Sequence, residues 1–217
     1  MDLTQFTPSS ALITVIVLAL APFVAVMVTS FTKIVVVLSL LRNALGLQQV
    51  PPNVVLNGLA LVLSIYVMYP VGSDMSGRLE GMNNVGGSTK TMLQAADAAK
   101  EPLREFLVKH SRPLERAFFL KTAQKALKPE QSAGLSDRDF LVVVPAFTVS
   151  ELSVAFEIGF LIFLPFIVID LVISNILMAM GMMMLSPTTV SMPFKLLLFV
   201  LIGGWVKLTH GLILTYV

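Results

Sequence analysis

Long apolar segments flank a polar middle segment, and this pattern predicts an all-α protein. Residues 11–28 carry no charge and would form a helix of about 27 Å at about 1.5 Å per residue, close to the thickness of the hydrocarbon core of a bilayer. A second apolar stretch, 54–71, follows Pro51, Pro52 and Asn53. Since prolines end one helix and asparagine favours the start of the next, the two stretches predict a helical hairpin.

The C-terminal third is apolar again from residue 140 to residue 217. Its length accommodates two more membrane-length helices, at about 156–180 and 194–215, which brings the predicted number of such helices to about four. This segment contains few charged residues. They are Glu151, Glu157, Asp170, Lys195 and Lys207.

The middle segment holds most of the charges of the chain and predicts a small helical insert that faces water. It begins with residues 72–88, rich in Gly, Ser and Asn, which predict a loop. Short helices are expected over 102–111 and 113–128, each with a proline in its first turn. The chain is thus predicted to divide into an N-terminal hairpin, a polar extracytoplasmic insert and a C-terminal hairpin, with boundaries at 1–72, 73–139 and 140–217.

Composition excludes an ordinary soluble domain. Of the 217 residues, 56% are hydrophobic and 13% are charged, and mean hydropathy is +0.86, whereas soluble domains carry about 25% charged residues. The net charge of +2 indicates no nucleic-acid partner. The chain has no cysteine, which excludes disulfides and thiolate metal sites.

Basic residues between apolar stretches suggest an orientation in the membrane. Lys33 and Arg42 lie between the first two stretches, and Lys195 is assigned to the connection between the last two; such residues favour the cytoplasmic side. The termini and the insert are then expected to face outward. No Lys or Arg precedes residue 11, so we expect the first stretch to be retained and not cleaved as a signal peptide.

Asp170 lies in an otherwise uncharged run, where an unpaired carboxylate would be costly. It serves either a structural ion pair or a proton relay, and we favour pairing because a relay usually needs a second ionisable group within the span. Glu151 and Glu157 are placed nearer a helix start and are interpreted as structural or intersubunit contacts. The candidate partners of Asp170 are Lys33, Arg42, Lys195 and Ser174.

A methionine cluster surrounds Gly181 and ends before Pro187. Methionine is flexible and polarizable and can seal around objects of different shape. Consecutive methionines point to different sides of a helix, which argues against simple packing on one face. A seal and apolar filling remain equally compatible with the residues alone.

The chain offers little for catalysis. His110 and His210 have no partner at metal-ligand spacing, and the common nucleophile and phosphate-binding motifs are missing from the sequence. An intramembrane aspartyl protease would need a second midspan aspartate besides Asp170. We therefore expect a protein that is not an enzyme and that has no metal and no cofactor.

Several long blocks strongly resemble the R subunit of type III secretion export gates, the SctR/FliP family. They are TSFTKIVVVLSLLRNALGLQQVPPN at 29–53, PAFTVSELSVAFEIGF at 145–160, LPFIVIDLVISN at 164–175, MGMMM at 180–184 and PFKL at 193–196. Within that family, Gln48, Gln49 and Val50 favour the virulence-type (injectisome) branch over the flagellar one.

This resemblance implies a core subunit of an export gate in the bacterial inner membrane. It implies a ring-like or helical pentamer that forms a cone with S and T subunits, with U and V subunits as further neighbours, and that passes unfolded substrate proteins. It also implies a pore gasket at Met182, Met183 and Met184. Two other classes remain open: a small proton-coupled transporter using Asp170 and Glu157, and a membrane scaffold without a pore.

Overall fold

A computed structural model describes residues 8–82, 89–132, 134–182 and 184–217, and every regular element in these ranges is an α-helix. This confirms the all-α class. The elements of the described residues are α1 (Pro8–Met27), α2 (Phe31–Ala44), α3 (Asn53–Met82), α4 (Thr89–His110), α5 (Pro113–Ala126), α6 (Pro129–Ser132), α7 (Phe140–Ala179), α8 (Pro187–Leu201) and α9 (Gly204–Leu214).

The short helix α2 lies at the centre of the packing. One of its faces is fully buried and joins a hydrophobic cluster with α3, α7 and α9. Its last turn joins a second cluster with Phe166 of α7 and Phe199 of α8. A third cluster brings Val28, Phe106 of α4, Phe147 of α7 and Tyr216 together. Residues from all three predicted segments therefore share common cores.

The contact between α2 and α7 is close at Gly159. A Cβ atom at this position would lie 2.2 Å from Cδ1 of Leu40 and 3.2 Å from its Cβ. Since real Cβ contacts of that kind do not occur, only glycine fits without movement of Leu40. Gly58 on α3, by contrast, faces open space.

Several predicted boundaries are wrong in the same direction, because the helices are longer than the sequence suggested. α3 continues through Gly72 to Met82, so the predicted loop begins at least ten residues too early; residues 83–88 lie outside the described ranges. α4 includes Pro102 in its interior and not in its first turn. α7 starts at Phe140 and contains both Pro145 and Pro165. The prediction for Pro113 at the start of α5 is confirmed.

The predicted single helix over 194–215 is also wrong. The chain bends by 62° between α8 and α9, at Gly203, whose φ of 64° lies in the left-handed region. Glycine reaches this conformation without a steric penalty. Phe199 and Trp205 pack edge to face across the bend, with ring centroids 5.6 Å apart.

Among the described residues, two helices are long and apolar enough to cross a membrane, one over 53–80 and one over 140–179. The bent pair α8 and α9 would make a third if it counts as one span. The sequence had predicted about four. Many large apolar side chains on these helices are exposed, including Tyr69 at 73% and Leu161 at 65%, which is typical of surfaces that meet lipid or another chain.

Candidate functional site

A buried ion pair joins α2 to α7. The Nζ atom of Lys33 lies 3.3 Å from Oε1 of Glu151, and both side chains are 3% exposed. Buried charges are stable only when paired and hydrogen-bonded. Glu151 lies about three turns inside α7, so the interpretation of this residue and of Glu157 as lying near a helix start is wrong.

Tyr216 completes this group from the C-terminal segment. Its hydroxyl donates a hydrogen bond to Glu151 and lies 3.5 Å from the backbone oxygen of Ser30. The Lys33 ammonium lies 3.6 Å from the centre of its ring, in a cation–π contact. Burial and the neighbouring carboxylate raise the pKa of Tyr216, so its hydroxyl remains a donor. Burial lowers the pKa of Lys33, and the charge of Glu151 opposes that shift.

His110 packs against the same tyrosine. Its ring centroid is 5.0 Å from that of Tyr216 and 4.7 Å from that of Phe106. Burial, with smaller contributions from the charges of Lys33 and Lys109, lowers the pKa of His110 to about 4. The imidazole is therefore neutral near pH 7 and packs as an aromatic ring.

Asp170 forms a second ion pair at the junction of α7 and α8. Its Oδ2 atom accepts a hydrogen bond of 2.6 Å from Nζ of Lys195, and its other oxygen accepts one from the hydroxyl of Ser191. Lys195 also donates to the backbone oxygen of Ala44 at 3.2 Å. This arrangement joins α7, α8 and the end of α2. Of the four candidate partners of Asp170, the structure selects Lys195.

Arg42 and Glu157 make more exposed contacts. Arg42 donates to the backbone oxygen of Pro51 and to Oδ1 of Asn53, at 3.2 and 2.6 Å, and so holds the turn between α2 and α3. Glu157 pairs with Arg112 at 2.6 Å, with side chains 61% and 44% exposed. Glu157 and Asp170 lie between three and four turns apart on α7, or about 20 Å, and each already has a partner, which speaks against a shared proton relay.

The orientation argument loses part of its basis in this structure. Lys33 lies inside α2 and Lys195 inside α8, and each is buried and paired with a carboxylate. Neither residue is a free loop charge of the kind that the positive-inside rule counts. The orientation itself stays a prediction.

The methionine cluster lies at the turn between α7 and α8. Gly181 has a φ of 72° there, and the side chains of Met182 and Met184 are 42% and 101% exposed. Met183 lies outside the described residues. Met184 is therefore free to contact a neighbouring molecule, whereas Met182 is partly covered by its own chain.

The described residues contain no group of three or more His, Asp or Glu side chains that could hold a metal ion. Sequence reasoning missed the roles of Tyr216, Ser191 and His110. For Tyr216 and Ser191 the only signal available was a polar side chain in an apolar segment, because their partners Glu151 and Asp170 lie 65 and 21 residues away in the sequence.

Comparison with known proteins decides the family. The FliP family model matches residues 13–212. The chain belongs to the FliP family. Its FliP-family relatives include "Hypersensitivity response secretion protein HrcR" of Ralstonia nicotianae, which is 52% identical over 96% of this chain and 97% of its own length. "Yop proteins translocation protein R" of Yersinia pestis is 54% identical over 92% of each chain.

A flagellar relative is less similar to this chain than these two secretion proteins. "Flagellar biosynthetic protein FliP" of Bacillus subtilis is 43% identical over 92% of this chain and 88% of its own length. The lower identity to this FliP confirms the prediction that the chain resembles the injectisome branch more closely than the flagellar one.

Proposed function

We propose that this chain is a core subunit of a type III secretion export gate, through which unfolded substrate proteins cross the bacterial inner membrane. The observation that carries the proposal is the family match over residues 13–212, together with relatives named for secretion and translocation. The long apolar helices are consistent with a membrane protein. In this role the chain is a structural component of the secretion apparatus and not an enzyme.

The gate would be assembled from several chains. The exposed apolar faces of α1, α3 and α7 are larger than a single soluble chain usually leaves uncovered, which supports burial against neighbours and lipid. We propose a homo-oligomer, expected as a pentamer in a ring-like or helical cone, that joins S and T subunits and lies near U and V subunits. Part of this cone would be raised toward the periplasm.

Met182, Met183 and Met184 would form the gasket of the pore. The exposed side chains of Met182 and Met184 and the tight turn at Gly181 support this role, since flexible thioethers at the tip of a turn can close against one another and yield to a passing chain. Transport would then be passive in this subunit, with energy supplied by other components. Lys33, Arg42, Glu151, Glu157, Asp170 and Lys195 would have structural roles.

The gasket is tested by replacing all three methionines with alanine in the assembled gate and measuring ion conductance in planar bilayers. We expect normal assembly, judged by native mass, and a resting conductance at least several-fold higher. The matched control is Met27→Ala, an exposed methionine at the end of α1, which should leave conductance unchanged. Unchanged conductance in fully assembled triple variants would rule out the gasket.

The alternative function, a proton-coupled transporter, predicts a different native mass for the purified protein. A proton-coupled carrier using Asp170 and Glu157 would work as one or two chains and would not gain mass with S and T subunits. If Asp170→Asn assembled normally and yet abolished export, a relay function of this carboxylate would replace the structural one. We expect instead that Asp170→Asn weakens assembly, because Lys195 loses its charged partner.

A further inference from the structure

We propose that the cavity between α3, α4 and the C-terminal segment binds the headgroup of a phospholipid of the phosphatidylethanolamine class. The inference requires that the chain lies in or against a membrane, but it does not depend on the export function. It follows from three features: the size and lining of the cavity, the charges at its rim and an exposed apolar stripe that leads to it.

The cavity has a volume of about 880 Å³, within the range of about 300–1,000 Å³ that is usual for small-molecule sites. Its apolar lining comes from all three elements. The apolar residues include Val67, Pro70, Val71, Phe106 and Ile213. Tyr216 and His110 also line it, so the cavity lies directly beside the buried group of Lys33 and Glu151.

The rim of the cavity carries charges of both signs. Lys109 comes from the last turn of α4, Glu105 from the preceding turn, and Asp74 from α3. None of the three takes part in an ion pair among the described residues. Because His110 is neutral at pH 7, the lysine supplies the positive charge and the two carboxylates the negative ones.

This combination fits a zwitterionic headgroup better than an anionic one. A phosphate would accept hydrogen bonds from Lys109, and a primary ammonium would donate to Asp74 and Glu105. Tyr66 and Tyr69 also line the cavity, and tyrosines favour the level of the headgroups at a membrane surface. A choline headgroup offers no N–H donor, and a glycerol headgroup offers no cation for the carboxylates.

The acyl chains have a path along α3. Val54, Gly58, Leu61, Ile65 and Tyr69 follow one another at spacings of three or four residues and so share one face. The four with large side chains are 53–82% exposed. From Val54 to Tyr69 this stripe is about 22 Å long at about 1.5 Å per residue, which exceeds half of the roughly 30 Å hydrocarbon thickness. It ends at the cavity, where the polar residues of α3 begin.

The test measures lipid retention by the purified full-length chain in mild detergent. The protein is exchanged into detergent with equal amounts of phosphatidylethanolamine, phosphatidylcholine and phosphatidylglycerol, and bound lipid is counted by native mass spectrometry. We expect phosphatidylethanolamine to be retained at least several-fold over the other two. The charge-reversed variant Lys109→Glu and the double variant Asp74→Asn, Glu105→Gln should each lose most of this preference.

Matched controls are Lys121→Glu on α5 and Asp97→Asn on α4, which change exposed charges outside the cavity. Both should keep the preference, and thermal unfolding should show that all variants are folded. A variant that fills the apolar part of the cavity, Val71→Trp, should reduce retention without changing any charge. Equal retention of the three lipids, or equal loss in the control variants, would overturn the proposal.

A second copy of the chain is the main competing occupant. Since the sequence has no cysteine, single cysteines at Tyr69 and Lys109 can be introduced without background. Efficient disulfide formation between copies at both positions, with no retained lipid, would show that protein covers the cavity and would also overturn the proposal. Labelling of the cysteine at each of the two positions by a thiol reagent dissolved in the lipid would support the proposal that lipid occupies the cavity.

Discussion

The buried group around Lys33 and the methionine turn are opposites in the same chain. Lys33 and Glu151 are 3% exposed and meet partners from α2, α7 and the C-terminal segment. Met184, in contrast, is fully exposed at the tip of a turn. In the first region every polar side chain is held by another part of the same chain. In the second, the side chain of Met184 is not covered by the described residues, and that of Met182 is covered only in part.

The first region therefore stabilises the fold of the subunit, whereas the second provides side chains for contacts with other molecules. A buried charge without a partner costs several kcal/mol, so the group around Lys33 fixes the relative positions of three distant segments. Exposed methionines cost little in the isolated chain and adapt to different neighbours. We therefore expect changes in the first region to affect stability, and changes in the second to affect the assembled gate.

The largest effect is expected for Glu151→Gln. The change leaves the Lys33 ammonium buried without its counter-charge and should destabilise the fold by about 3–5 kcal/mol. For a chain of this size that corresponds to a lower unfolding temperature by about 6–20 °C, measured by thermal unfolding in detergent.

Glu157→Gln is the matched control on the same helix. Its pair with Arg112 is largely exposed, so the cost should stay below about 1 kcal/mol. Similar unfolding temperatures for the two variants would contradict the assignment of Glu151 to the stabilising region.

A smaller effect is expected for Tyr216→Phe. This change keeps the ring over Lys33 but removes the hydroxyl that donates to Glu151, at an expected cost of about 1–3 kcal/mol. Tyr66→Phe, at a 67% exposed position, should have an effect within about 0.5 kcal/mol. If Tyr216→Phe were as stable as the unchanged chain, the tyrosine would contribute through its ring alone.

The smallest effect on stability is expected for Met184→Ala. With its side chain fully exposed, truncation should change the free energy of unfolding by less than about 0.5 kcal/mol. Leu38→Ala, at a fully buried position of α2, should cost about 2–5 kcal/mol. A loss of stability in Met184→Ala comparable to that of Leu38→Ala would place the methionine turn among the stabilising contacts of the subunit.

The sequence predicted the helices better than it predicted their ends. Apolar runs marked α1, α3 and α7, since hydrophobic residues in a row favour burial or lipid whatever they pack against. The predicted ends are wrong where a proline is expected in a first turn or a Gly-rich stretch is expected to form a loop. Pro102 and Pro145 lie inside long helices, although a proline there removes a backbone hydrogen bond, and Gly72 continues α3.

The candidate residues show the same division. Because the residues around Asp170 are uncharged, the sequence predicted that this carboxylate needs a partner, and Lys195 was one of the predicted candidates. The partners of Glu151 did not follow, because Lys33 and Tyr216 lie 118 and 65 residues away. When two helices from different segments pack together, the sequence alone does not show which of their residues come into contact.

By itself, the sequence determined the helical class, the apolar character of most of the chain, the family and the branch within it. These depend on composition and on the order of residues, which are present in the chain before it folds. The tertiary structure decided which charges neutralise one another, where α8 and α9 bend and which methionines remain exposed. These depend on the mutual packing of α2, α7 and the C-terminal segment, because burial and pairing are properties of positions in space.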